Sequence, residues 1–291
     1  MKKIAILGCE NSHAATFLDF IYNTDKYRDV EVVGVYSNEP EAARALSEKF
    51  GVNVLDSYAD AVGKIDGVVI TARHGDLHYE YAKPYLDSGI PMFIDKPLTI
   101  KPGEATEFMN ELKSRGIKAC GGSSLKHDVG VKALKKDREE SACGNTLGGF
   151  VRAPLNMNNV YGGFYFYAPH LVEVVCEIFG RYPHTVSAKT VENVTNVEFC
   201  YDTYTAYGSF VNDNYVYYAC RFSDKEVKGM NLESTKEHNW FESEFNDFYT
   251  LLKGGDATVS YEDLFSSVYV MNAIEKALHS GKPEKVSYFG N

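Results

Sequence analysis

Short apolar runs alternate with amphipathic stretches along the first 122 residues. Residues 4–7, 30–36, 52–55, 68–70, 91–94 and 117–120 read as strands, and most of them are apolar on both faces. Between them, apolar side chains recur at helical spacing over residues 14–23, 40–50, 79–88 and 103–115, with a shorter helical stretch over 58–62. The punctuation agrees. Pro40 stands at the first position of the second helix, and Gly51, Gly89 and Gly116 stand where helices stop. Buried strands alternating with helices predict a doubly wound parallel sheet covered on both faces. Such a sheet binds ligands beyond the carboxyl ends of its strands, so the residues just after each strand matter most.

The pattern changes after residue 122. Residues 131–136 read as a linking helix. Longer alternating runs follow at 148–152, 185–191, 198–207 and 215–222, the period of strands with one covered face. Helical periodicity returns over 170–179, 240–253 and 261–279. The expected organisation is therefore an α/β domain over residues 1–122 and an α+β domain over 123–291, built on a large open antiparallel sheet. With 291 residues the chain is long enough for two cores.

Composition narrows the function. The formal net charge of -10 argues against nucleic acid as a partner, which would need a basic surface. The six cysteines are scattered with no C-x-x-C pair, so neither a disulfide framework nor a metal site is expected. Lys2-Lys3 followed by Ile4–Leu7 imitates a secretion signal, but the apolar run falls short of the roughly 7–15 residues that one needs. No run approaches the roughly 18 apolar residues of a membrane span. A cytoplasmic protein with a small-molecule partner and no membrane partner is expected.

The strand ends carry the candidate chemistry. The first turn, Gly8-Cys9-Glu10-Asn11-Ser12-His13, keeps only the first glycine of the dinucleotide fingerprint G-x-G-x-x-G, and Glu10 and His13 hold the other two positions. Asn11 and Ser12 can cap the next helix and offer donors to a phosphate; an ordinary capped helix start fits them equally. The second strand ends at Ser37-Asn38, with no acid before Glu39 to take a ribose hydroxyl and no arginine. If a dinucleotide binds, this favours NADP over NAD. The fourth strand ends in Thr71-Ala72-Arg73-His74-Gly75-Asp76-Leu77-His78, a polar wall in which Arg73 suits a phosphate or substrate oxygen. His78 reads also as a packing residue at a helix start. The fifth strand ends at Asp95-Lys96-Pro97. A lysine between a strand end and a proline, beside an acid, can hold an alcohol or carbonyl oxygen, or exchange a proton with it.

In their order and spacing these stretches resemble the glucose–fructose oxidoreductase/inositol dehydrogenase family (Gfo/Idh/MocA) over essentially the whole chain. Glu39-Pro40-Glu41-Ala42-Ala43 through Lys49-Phe50-Gly51-Val52 is similar to the family's D-P-E-x-A…x-F-G-V segment. Thr71 to His78 is similar to T-P-N-x-x-H, with Ala72 and Arg73 in place of P-N, and Asp95-Lys96-Pro97 is similar to E-K-P. The resemblance implies a Rossmann domain, a second domain with an open sheet, an NAD(P) cofactor, sugar or polyol substrates and a homo-oligomer. It implies cofactor contacts from Gly8, Asn11, Ser12, His13, Ser37, Asn38, Thr71, Arg73, His74, His78, Asp95 and Lys96, and Lys96 as the signature lysine. The family's second signature, Gly-Gly followed by D-x-x-x-H, falls on Gly162-Gly163 and His170, with Phe166 in place of the aspartate. His170 then becomes the second catalytic residue. In this reading it acts alone, or Glu173, Tyr165 or Tyr167 replaces the aspartate, or dehydrogenation has been lost. Lys126, at a place where the family often carries arginine, joins Tyr165, Tyr167 and His170 as the expected substrate contacts.

The leading expectation is an NAD(P)-dependent oxidoreductase that passes hydride between a nicotinamide and a sugar, polyol or related ketone. The alternative, supported by the missing glycines and Phe166, is a non-catalytic or regulatory member that binds a nucleotide or sugar. A redox-neutral step with tightly held cofactor is a third possibility.

Overall fold

The computed structural model of the chain describes residues 1–141 and 143–290. It divides into two compact units. The first comprises Met1–Thr99, Gly103–Gly122 and Phe241–Leu264; the second comprises Ile100–Pro102, Ser123–Trp240 and Phe265–Asn291.

The first unit is built on five parallel strands, β1 (Lys2–Leu7), β2 (Val30–Tyr36), β3 (Gly67–Ile70), β4 (Met92–Asp95) and β5 (Ala119–Gly122), in the order β2-β1-β3-β4-β5. Four helices connect them: α1 (Ser12–Asn23), α2 (Pro40–Phe50), α3 (Asp76–Ala82) and α4 (Pro102–Ser114). Asn11 caps α1 by accepting from the His13 amide. Pro40 begins α2, and Gly51 ends it in the left-handed region at φ 70°. The strand expected at 52–55 is reduced to one parallel bridge between Val54 and Val35, held by the Val35 amide on Asn53 O and the Leu55 amide on Val35 O. With that bridge counted, the order is the 3-2-1-4-5-6 of dinucleotide-binding sheets, with its switch point between β1 and β3. The helix expected at 58–62 is a chain of turns, in which the Asp60, Val62 and Lys64 amides each bond three residues back.

Residues 241–264 depart from the expected division at residue 122. From Phe241 on, helix α7 (Trp240–Leu252) belongs to the first unit. The cause is its apolar face: Phe245, Phe248, Leu251 and Leu252 share one core cluster with Ile4, Ile6, Phe17 and Phe93. Phe17 meets Phe93 edge-on at 5.2 Å between ring centroids and lies 5.0 Å from Phe245.

The second unit holds a seven-stranded sheet: β6 (Thr146–Leu155), β7 (Thr185–Val191), β8 (Val194–Cys200), β9 (Thr205–Asn212), β10 (Tyr218–Ser223), β11 (Val227–Asn231) and β12 (Glu284–Lys285). Its order is β11-β10-β6-β9-β8-β7-β12. The sheet is mixed rather than wholly antiparallel, because β6 and β9 run parallel. Between them the chain crosses through α6 (Phe164–Phe179) and then reverses twice in the β7-β8-β9 meander. The run expected as one strand at 198–207 is two, broken by a turn in which the Tyr201 amide bonds Tyr204 O. No glycine marks this turn; instead the Tyr201 and Tyr204 hydroxyls donate to the carbonyls of Gly180 and Phe179. Helices α5 (Val129–Glu140) and α8 (Tyr261–Ser280), the latter from Phe265 on, complete the unit. Two glycines on the central strands make room for α6. A Cβ on Gly149 would lie 2.2 Å from Phe179 Cζ, and one on Gly208 would lie 2.8 Å from Leu171 Cδ2. Among the described residues no helix is long and apolar enough to cross a membrane.

Candidate active site

The first unit gathers its expected cofactor residues at the carboxyl ends of β1 to β4. At the switch point the turns after β1 and β3 touch. Thr71 Oγ1 donates to Gly8 O at 3.1 Å, and a Cβ on Gly8, which has φ 82°, would lie 2.2 Å from Ala72 N. Only glycine fits there.

Glu10, at the fingerprint's second position, is buried. Its carboxylate accepts from the Ser37 hydroxyl at 2.6 Å and from the Arg73 amide at 2.9 Å. The acid missing from the end of β2 in the sequence is therefore supplied there from the first turn. Asn38 is exposed, and Ser12 is exposed at the first position of α1. His74 is half-buried, its Nδ1 accepting from the Asp76 amide at 3.3 Å.

His13, at the third position, is also buried. Its Nδ1 lies 2.9 Å from an Asp95 oxygen, an ion pair when the ring is protonated, and Asn11 Nδ2 donates to the same oxygen at 2.9 Å. The other Asp95 oxygen accepts from the Lys96 amide at 2.7 Å. Burial works to raise the Asp95 carboxyl, but His13, then Lys96 and His78, outweigh it and hold it at about 2. Glu244 on α7 brings a carboxylate to 4.0 Å from His13 Nδ1. These three side chains offer metal-ligand atoms within 4.8 Å of one another, yet both Asp95 oxygens are already engaged by protein donors. Lys96 is 4% exposed at the end of β4, and its peptide bond to Pro97 is cis.

His78 does not behave as a ligand residue. It is fully buried, and its ring nitrogens lie 2.6 Å from Pro97 O and 2.8 Å from Ala72 O. It ties the turn after β3 to the turn after β4.

In the second unit His170 stands inside α6, which begins at Phe164, well before the expected start. Its Nδ1 lies 2.7 Å from the hydroxyl of Ser123, which follows β5 directly. The Ser123 amide donates to Glu173 Oε2 at 2.9 Å, and Lys126 Nζ approaches the same oxygen at 3.5 Å. Burial raises the Glu173 carboxyl, with Lys126 and the Ser123 amide opposing. Tyr167 and Tyr217 stand with ring centroids 6.1 Å from His170, and Tyr167 donates to the Tyr215 hydroxyl at 3.4 Å. Phe166 packs between Tyr161 and Tyr167 instead. Tyr165 departs from the expected substrate role: it is buried and its hydroxyl donates to Glu275 at 2.6 Å.

Two residues of this arrangement were not singled out from the sequence. Glu10 registered only as a departure from glycine. Ser123 carried no signal, because a serine after Gly121-Gly122 reads as ordinary turn chemistry.

Residues 2–121 match the family model described as the oxidoreductase family with an NAD-binding Rossmann fold, GFO_IDH_MocA. Over these residues the chain is similar to the NAD-binding domain of that family. The uncharacterized oxidoreductase YhhX of Escherichia coli (strain K12) is 24% identical over 154 residues, which spans 48% of this chain and 44% of that protein. Less than half of that curated relative is therefore matched. Among solved structures, scyllo-inositol dehydrogenase from Lactobacillus casei with bound NAD(H) and scyllo-inositol superposes with a TM-score of 0.83 at 15% identity, covering 98% of this chain and 99% of that one. A myo-inositol dehydrogenase from Corynebacterium glutamicum ATCC 13032 superposes with a TM-score of 0.82 at 15% identity, covering 99% of both chains. At such identity the likeness is one of fold, and it runs over nearly the whole chain.

Proposed function

We propose that this chain is a Gfo/Idh/MocA member and an NAD-dependent oxidoreductase acting at a carbon–oxygen centre of a sugar, polyol or related ketone. The observation that carries the reading is Lys96, an ammonium side chain at the carboxyl end of a central strand in an NAD-binding sheet. Its neighbour Asp95 is fixed by Asn11, by His13 and by the Lys96 amide itself. The residues suit the cofactor. The Gly8 turn and the amino end of α1 suit a pyrophosphate, and Glu10 with Ser37 sets an acid where an adenosine ribose diol is bound in such folds. When bound, the nicotinamide supplies the hydride acceptor or donor. Lys96 holds the reacting oxygen as a cation, and His170 in the second unit offers a hydrogen bond to a substrate oxygen. Tyr167, Tyr215 and Tyr217 supply aromatic faces for the C–H surfaces of a polyol.

Glu10 supports NAD in this reading, against the preference for NADP expected from the end of the second strand. A carboxylate at the end of β2 accepts from ribose hydroxyls and repels a 2′-phosphate. Titration of NADH and NADPH by fluorescence quenching is expected to give NADH at least about tenfold tighter binding, about 1.4 kcal/mol. In Glu10→Gln the ratio should fall towards one. Tighter NADPH binding, or binding of neither, would count against the reading.

A second reading, ligand binding without turnover, is favoured by Phe166, which sits among tyrosines and gives His170 no carboxylate. Tight NADH binding with no reduction of NAD by any polyol would select it.

A further inference from the structure

The hydrogen bonding around Ser123 fixes which nitrogen of His170 carries the proton. Ser123 is completely buried, so its hydroxyl has no access to water. Its Oγ accepts from the Leu125 amide at 3.3 Å and lies 2.7 Å from His170 Nδ1. A serine hydroxyl has one proton to give, and Nδ1 is the acceptor within reach. If Nδ1 carried the proton instead, two N–H groups would point at Oγ and the hydroxyl proton would be buried without an acceptor, which costs more than a made hydrogen bond returns. The serine backbone is held in place. Its amide is anchored on Glu173 Oε2 at 2.9 Å, and Glu173 lies one helical turn beyond His170 on α6.

We infer that Ser123 is a positioning residue that holds neutral His170 in the Nε2–H tautomer, so that the ring meets the substrate oxygen as a hydrogen-bond donor. The inference rests on the proposed reaction only for the identity of that oxygen. It reverses the polarity that a carboxylate partner would impose. An acid beside Nδ1 accepts Nδ1–H and leaves the Nε2 lone pair free to act as a base, as in a hydrolytic triad. A hydroxyl donating to Nδ1 leaves Nε2–H, the electrophilic form that polarises a carbonyl. The oxygen that suits this ring is therefore an acceptor, such as the carbonyl of a ketone or aldehyde.

The test is ¹⁵N NMR of the histidine-labelled full chain without ligand, at a pH where the rings are neutral, with His170 identified by the signals lost in His170→Asn. The expected result is an unprotonated Nδ1 and a protonated Nε2 for His170. Ser123→Asp places a carboxylate at Nδ1 and should invert the pattern to Nδ1–H. Ser123→Ala, which removes the donor with little change of volume, should give mixed tautomers if the aspartate variant does not fold. Nδ1–H in the unmodified protein, or a pattern that Ser123→Ala leaves unchanged, overturns the inference. None of these readouts needs turnover, so a failure of the proposed reaction would leave this result standing, and the reverse also holds.

Discussion

Lys96→Met is expected to lower kcat by roughly 10²–10³, the cost of removing one preorganised donor from a developing oxyanion. Methionine keeps an unbranched apolar stem of similar reach and removes only the charge. The backbone bond from the residue-96 amide to Asp95 does not depend on the side chain, so the end of β4 should keep its shape. The binding of NADH should stay within severalfold of the unmodified protein. Steady-state kinetics on a polyol that reduces NAD, with NADH titration alongside, separates the two effects. A kcat within twofold of the unmodified value would remove Lys96 from the chemistry.

His13→Ala should cost stability, by about 3 kcal/mol. Asp95 is fully buried, and without His13 it keeps Asn11 and the Lys96 amide but loses the imidazole 2.9 Å from its carboxylate. The pH dependence follows from the direction of the Asp95 shift. Its folded-state carboxyl lies below the unfolded value of about 3.9, at about 2. The stabilisation is therefore complete above the unfolded value and is lost as pH falls through the folded one. In the variant the folded carboxyl should rise, and the gap between variant and parent should shrink in acid. Urea unfolding at neutral pH and near pH 3 reads both. Equal stability of the two proteins at neutral pH would show that the His13–Asp95 contact contributes nothing net.

Much of the first unit is legible in the chain because buried parallel strands are short apolar runs with glycine and proline at the helix ends. Val30–Tyr36 and the Pro40–Phe50 helix fall where the pattern puts them. The second sheet is harder to read. An antiparallel run cannot be told from a hairpin when the turn lacks glycine, as at Tyr201–Tyr204, where two tyrosine hydroxyls do the work of turn chemistry. Nor does periodicity say where a helix docks. The aromatic face of α7 looks like any core face, and only the structure assigns it to the first unit.

The site divides in the same way. Asp95-Lys96-Pro97 stands out because a charged residue at the end of a buried strand is costly and therefore informative. Glu10 is hidden because its significance lies in reaching Ser37, 27 positions away in the chain. His78 and Tyr165 mislead for the opposite reason. Their side chains carry functional chemistry, but that chemistry is consumed internally, by two carbonyls in one case and by Glu275 in the other.

The central claim is that the first unit holds NAD and that Lys96 serves hydride transfer at a carbon–oxygen centre, and isotope transfer addresses it most directly. A polyol deuterated at its carbinol carbons would be incubated with NAD and the unmodified protein, and the NADH formed would be analysed by mass spectrometry. The account predicts one deuterium carried into the NADH, at a rate that falls in Lys96→Met. NADH formed without deuterium, or no NADH with any polyol while the cofactor is bound, would contradict it.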